Sequence, residues 1–282
     1  VTSIEPQALD PDAIDRATAL LRGRRTAVLT GAGISTDSGI PAYRGAGAPP
    51  RVSPMTIQTY LSDEAARRRY WMGGHLGYRR FTSPDPNGGH RALAALEHNG
   101  DVTGVITQNV DGLHLRAGSR RVVELHGTMH RVRCLDCGQV FDRRAISAQI
   151  DELNPWIAVP ENVVLNPDGD VTPESADGFV IPPCTVCGGM LKPEVVYFGE
   201  FVPTGRFRLS EALVHGSDAL LVAGTSLTVN SGIRVIERAR RRGMPLVIVN
   251  HEPTRADRWA DAVVSGGTTP VLTGIARALG AL

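Results

Sequence analysis

The chain has 282 residues, 42% of them hydrophobic, which is enough for one large core with a smaller inserted unit. Thirty basic against twenty-nine acidic residues leave a formal charge of +1, which gives no reason to expect a nucleic-acid or membrane partner. No apolar run approaches the roughly 18 residues of a membrane helix, and residues 17–29 are broken by Arg22, Arg24 and Arg25, unlike a signal peptide, so a soluble cytoplasmic protein is expected.

In chain order, the first near-continuous apolar run covers residues 26–29 and leads into Gly31, Ala32, Gly33, Ile34, Ser35 and Thr36. Glycines directly after a strand let the backbone approach a phosphate, and a following helix would offer it amides and a positive dipole. The hydride-transfer fingerprint would need a third glycine where Thr36 stands, and an acid on a second strand about 20 residues later. Residues 51–54 offer neither, so a dinucleotide here is held in another way.

Further runs at 102–107, 122–125, 195–198, 219–223, 246–249 and 262–264 are rich in valine and isoleucine, as strands buried on both faces require. They are expected in one parallel sheet of a doubly wound α/β fold. Asn230 and Ser231 are placed to cap a helix that carries Ile233, Ile236 and Ala239 on its apolar face, with Gly243 beyond its end. Such folds bind ligands beyond the carboxyl ends of their strands. Those ends here carry Gly31, then Gln108, Asn109 and Asp111, then His126, then Gly224, Thr225 and Ser226, then Asn250. Core packing alone does not ask for small and polar groups at five strand ends.

Between these runs lie the four cysteines, as two Cys-x-x-Cys pairs: Cys134 with Cys137, and Cys184 with Cys187. Glycine follows each pair, at Gly138 and Gly188. Two such knuckles are the usual frame of a closed structural Cys₄ zinc site. Two disulfides would need an oxidising compartment, and a thioredoxin-type pair would need a strand-to-helix setting. One structural Zn²⁺ is therefore expected, with a surrounding unit that is loose without it.

The motifs then fall into a recognisable order. Residues 31–44 read GAGISTDSGIPAYR and resemble the cofactor loop of the sirtuins. TQNVDGLH at 107–114, ELHG at 124–127, the two cysteine pairs, KPEVVYFGE at 192–200, GTSL at 224–227 and Val249-Asn250 follow as they do in that family. The resemblance runs from about residue 20 to 275, with features of the class II branch at 67–71, 165–171 and 253–255. One departure stands in the first loop: Ala42 and Tyr43 replace the family's acid and phenylalanine, and tyrosine keeps an aromatic face for the nicotinamide pocket.

The resemblance implies a two-lobed, NAD⁺-dependent protein-lysine deacylase that consumes NAD⁺ and yields nicotinamide and O-acyl-ADP-ribose. It implies a Rossmann-like lobe from residues 1–45, 91–130 and 192–282, and a small lobe from a helical insert at 46–90 with a zinc module at 131–191. By the same resemblance His126 is the general base, Asn109 orients ribose or a water, and Asp111 holds the nicotinamide carboxamide. Gly31, Ala32, Gly33, Ser35, Thr36, Tyr43, Arg44, Gln108, Gly224, Thr225, Ser226, Asn250 and Thr268 line the cofactor. Val195, Val196 and Phe198 meet the substrate peptide. Acyl-lysine proteins are the implied partners, with no nucleic acid, no membrane and a monomer as the default. The alternatives are mono-ADP-ribosyl transfer in the same pocket, a non-catalytic NAD⁺-binding regulator, and, more distantly, a dehydrogenase. Sirtuins that prefer acidic acyl groups carry a Tyr-x-x-Arg pair in the helical insert; none occurs between Gly45 and Asn87, so weak desuccinylation is expected.

Overall fold

A computed structural model describes residues 10–42, 54–158, 164–166 and 169–282. The elements begin with α1 (Pro11–Leu21), β1 (Thr26–Thr30), α2 (Ile57–Ser62), α3 (Glu64–Thr82), α4 (Gly88–Asn99) and β2 (Val102–Thr107). Next come α5 (Leu113–Arg116), β3 (Val122–Glu124), β4 (Gly127–Cys134), β5 (Val140–Asp142), α6 (Arg143–Leu153) and β6 (Leu191–Val195). The chain closes with α7 (Thr204–His215), β7 (Ala219–Ala223), α8 (Asn230–Arg241), β8 (Leu246–Asn250), β9 (Ala262–Ser265) and α9 (Thr268–Ala278). No helix among the described residues is long and apolar enough to cross a membrane.

Local chemistry sets several of these boundaries. Asp10 accepts from the Asp12 amide and Pro11 opens α1, the usual composition of a helix start. Asn87 accepts from the Gly89 and His90 amides to start α4, and Gly100, at φ 93°, ends it in the left-handed region. Asp63 and Asp142 cap α3 and α6 in the same way.

Six strands form a parallel sheet in the order β3-β2-β1-β7-β8-β9. Alternate residues of the central strands face opposite layers. Val28, Leu221 and Val247 pack with α1, α4 and α9, whereas Leu29, Leu220 and Ile248 pack with α7 and α8. Both faces are thus covered, and each fully buried aliphatic side chain contributes about 1.5–3 kcal/mol of hydrophobic transfer. The order reverses between β1 and β7, and an open α/β sheet has its ligand crevice at that switch point.

The segment at 195–198 does not join this sheet. Its beginning belongs to β6, which pairs antiparallel with β4, and β4 pairs antiparallel with β5. An apolar run identifies a strand without saying which sheet takes it. The turn between the sheets is made at Gly127, whose φ of 85° suits glycine and whose Cβ would meet Glu194 O at 1.9 Å.

The small sheet shares its own apolar core with α2, α3 and α6, built on Tyr60, Trp71, Phe81, Ile146, Ile150 and Leu191. Trp71 Nε1 donates to Tyr60 Oη at 2.7 Å, and that hydroxyl donates to Leu191 O, so the helical insert is tied to β6. The fully buried Arg143 guanidinium lies over the rings of Trp71 and Tyr78, 4.9 and 5.3 Å from their centroids.

Candidate active site and metal centre

The loops that leave β1 and β7 touch at the switch point. Gly31 N donates to Ala223 O at 3.2 Å and Gly33 N to Gly224 O at 2.8 Å. A Cβ on Gly31 would stand 2.6 Å from Thr225 Cβ, and one on Gly224 would stand 2.4 Å from Ile34 N. These glycines therefore let two backbones pass in contact. The α-helix expected directly after them is absent: two 3₁₀ turns, Ala32–Ile34 and Thr36–Ser38, take its place. The amides of Gly33, Ile34 and Ser35 bond to Gly224 O, Gly31 O and Ala32 O. The helix expected there is thus corrected to two 3₁₀ turns within a loop-on-loop platform.

Behind the platform lies a buried polar network. Ser35 Oγ donates to Asp111 Oδ2 at 2.8 Å, and Asn109 Nδ2 donates to Gly31 O at 3.1 Å and to Ser35 Oγ at 3.0 Å. The Leu113 amide donates to Asp111 Oδ1 at 2.9 Å, which ties Asp111 to the first residue of α5. Burial pushes the Asp111 carboxyl above its usual range, against the opposing effect of these hydrogen bonds. His90 Nε2 lies 3.5 Å from Ser35 Oγ, its ring meets that of His114 edge-on at 4.8 Å, and His114 Nε2 lies 2.9 Å from Thr30 Oγ1. Burial lowers His90 to about 4 and His114 well below the usual value, so both are neutral at pH 7.

His126 stands between β3 and β4, held at both ring nitrogens. Nδ1 is 3.1 Å from Gln108 O, and Nε2 is 2.8 Å from Ser231 Oγ. Burial lowers its pKa to about 4, while the Gln108 carbonyl works in the other direction. The ring is neutral across the physiological range, with Nε2 as its acceptor atom.

The other candidate residues lie along the strand ends and the loops that follow them. Gln108 Oε1 accepts from Thr225 Oγ1 at 2.7 Å, joining the β2 and β7 ends. Thr36 Oγ1 donates to Gly33 O at 3.0 Å, and Thr268, at the start of α9, reaches the same carbonyl at 3.4 Å. Ser226 Oγ is 3.4 Å from Thr228 Oγ1, and Asn250 Nδ2 donates to Glu252 O at 2.7 Å at the end of β8. Val195 pairs with Gly127, and the Val196 amide donates to His126 O at 2.8 Å, which sets this segment beside the histidine. Phe198 is exposed and forms a bridge with Thr56. Tyr43 and Arg44 lie outside the described residues.

Two polar partners were not legible in the sequence. His130 Nε2 donates to Asp111 O at 3.2 Å, and no motif marks it. Ser231 was expected as a helix cap; Val229 occupies that position without a side-chain bond, and Ser231 turns to His126 instead.

The four cysteines converge in the small lobe. Cys134 Sγ lies 3.5 Å from Cys187 Sγ, Cys137 Sγ lies 3.8 Å from Cys184 Sγ, and all four sulfurs fall within 4.8 Å of one another. A tetrahedron with zinc–sulfur arms of about 2.3 Å has edges of about 3.8 Å. All four cysteines are free, so the disulfide alternative is not what the fold builds. The knuckles brace each other: Leu135 N donates to Met190 O at 2.8 Å, and Met190 N donates to Asp136 Oδ2 at 2.8 Å. The four thiols are positioned to bind one structural zinc ion.

With this geometry established, comparison with known proteins is specific. The profile of the Sir2 family matches residues 31–231. The NAD-dependent protein deacetylase 1 of Streptomyces coelicolor is 50% identical over 263 residues, covering 92% of this chain and 88% of its own length. The NAD-dependent protein deacylase Sirt4 of Drosophila melanogaster is 44% identical, covering 87% of this chain and 80% of its own. A solved Sir2–p53 peptide–NAD⁺ complex superposes with a TM-score of 0.77 at 28% identity, over 95% of this chain and 98% of that one.

Proposed function

The chain belongs to the Sir2 family, and from that premise we propose that the crevice at the β1–β7 switch point carries out NAD⁺-dependent removal of acyl groups from protein lysine, with His126 as the base. The observation that carries this assignment is the doubly held, neutral imidazole. Gln108 O can only accept, so the ring proton sits on Nδ1 and the Nε2 lone pair, met by Ser231 Oγ at 2.8 Å, is the position that can take a proton.

NAD⁺, when bound, supplies the ribose carbon that takes the acyl oxygen as nicotinamide leaves, and the ribose hydroxyl that then takes the acyl group. His126 Nε2 receives the proton of that hydroxyl, and Gln108 O steadies the charge that develops on the ring. Asn109 and Asp111 are fixed through Ser35 and offer amide and carboxyl groups for nicotinamide and ribose. Thr225 and Gln108 brace each other beside the ribose position. Gly31, Ala32, Gly33, Ser35, Thr36, Gly224, Ser226, Asn250 and Thr268 line the remaining cofactor path, with Tyr43 and Arg44 as its cover. Val195, Val196 and Phe198 receive the peptide as an added strand beside the base. A four-thiolate zinc keeps no open position, so its role is structural.

The same reading assigns residues 1–45, 91–130 and 192–282 to the cofactor lobe, and 46–90 with 131–191 to the small lobe. Support comes from the separate apolar core that α2, α3, α6 and the small sheet share. A reaction containing NAD⁺ and a pooled panel of acyl-lysine peptides, read by mass spectrometry, tests the function. Acetyl or longer acyl peptides should give free lysine and O-acyl-ADP-ribose, and succinyl peptides should react poorly. His126→Ala should lower kcat/KM by about 10²–10⁴-fold. ADP-ribosylated protein without free lysine would overturn the deacylase assignment.

A further inference from the structure

The polar residues that open α8 do not cap it. The N-cap position, Val229, has no side-chain bond, and Asn230 Oδ1 accepts from Arg255 Nη1 at 2.9 Å. Ser231 Oγ reaches across 105 residues of sequence to His126 Nε2 at 2.8 Å. A serine in the first turn of a helix has local backbone partners at hand, and this one is directed to the histidine instead.

The direction is set by strained and closely packed backbone. Leu227, fully buried, has a φ of 57° and is the one non-glycine among the described residues in the left-handed region. Its amide donates to Thr225 Oγ1 at 3.2 Å, and that hydroxyl donates to Gln108 Oε1 at 2.7 Å. A Cβ on Gly232 would stand 3.1 Å from Gln108 Nε2, so glycine there lets the start of α8 lie against Gln108. The residue that holds Nδ1 and the segment that holds Nε2 are therefore braced against each other.

We propose that Ser231 is a positioning residue for His126: its hydroxyl donates to Nε2, holds the imidazole in the rotamer a general base needs, and yields that place to the ribose hydroxyl. The inference rests on the assignment of His126 as the base. With Nδ1–H donating to Gln108 O, Nε2 can only accept in the neutral ring, so Ser231 is the donor. A ring held at both nitrogens cannot flip without losing both bonds. The ribose hydroxyl then meets a base already aligned, which is where positioning lowers a barrier.

Ser231→Ala and Ser231→Thr, compared in the full zinc-loaded chain, test this. Ser231→Ala is expected to lower kcat about fivefold to tenfold and to leave the peptide KM within about twofold, as loss of one positioned hydrogen bond implies. Ser231→Thr, which keeps the hydroxyl, is expected to restore most of the rate. Long-range ¹H–¹⁵N spectra of His126 without cofactor should show the proton on Nδ1 in both proteins, and a downfield shift of Nε2 in Ser231→Ala as its accepted hydrogen bond is lost. A Ser231→Ala enzyme with wild-type kcat and an unchanged Nε2 shift overturns the inference. So does a folded Ser231→Thr as slow as the alanine variant. Full activity in His126→Ala, assayed alongside, would instead sink the base assignment itself.

Discussion

Every residue of β1 and β7 is buried, and so are the first four of β8, whereas β4 alternates buried and exposed positions toward its end and β5 is only half-buried. The large sheet is held by layers on both faces, and its register follows from apolar side chains alone. The small sheet has three strands, little depth, and four thiols clustered where β4 ends. A unit of that size rarely stabilises itself by burial and needs a staple. The two regions thus divide the work. The large sheet carries Asn109 and Asp111 at its rim and His126 beside it, held by hydrogen bonds, and the small sheet brings the four thiols together.

The largest expected effect comes from taking the metal away. Zinc binding in small Cys-rich peptides is worth about 10–16 kcal/mol. Chelation, or Cys137→Ser, should remove amide-exchange protection from β4, β5 and β6 while β1, β2, β7 and β8 keep theirs, and activity should be lost. Uniform loss of protection in both sheets would break the comparison.

A smaller effect is expected at the rim. Gly224 has a φ of 66°, and a Cβ there would lie 2.4 Å from the Ile34 amide nitrogen, a backbone atom that cannot step aside. Gly224→Ala should cost about 3–5 kcal/mol, read as a fall in the urea midpoint of the sheet lobe, with zinc content unchanged. A wild-type midpoint would mean that the two loops are not in contact.

Acid sharpens the contrast by a lesser amount. His90, buried and lowered to about 4, is neutral in the folded state where the unfolded chain takes up a proton below pH 6.5. Its folded pKa lies below its unfolded value, so stability is lost as pH falls from 6.5 to about 4. The loss runs at about 1.4 kcal/mol per unit, or about 3 kcal/mol in all. Exchange of β1 and β2 amides should report a slope to which His114 and His126 also contribute, and His90→Asn should remove the His90 share of it. An unchanged slope would remove His90 from the account.

How much of this was legible in the sequence follows the same division. The parallel strands could be read because continuous valine and isoleucine runs leave few other solutions, and the zinc site because its ligands are spaced as a chemical motif. β4 could not, since Arg131 and Arg133 alternate with Val132 and Cys134 and the run has no continuous apolar stretch. The placement of 195–198 failed because periodicity marks a strand and not its partners. The glycines of residues 31–33 were read for approach to a phosphate, and the contact they also make with the loop after β7 had no signal in the local pattern. Ser231 looked like a cap because local pattern favours local bonds, and only the fold brings it to His126.

The most direct test of the central claim measures nicotinamide and free-lysine peptide released in one reaction, for the wild type and for His126→Ala. The account predicts one nicotinamide per deacylated lysine in the wild type and loss of free lysine in the variant. Free lysine formed at the wild-type rate by His126→Ala, or formed without nicotinamide, would contradict it.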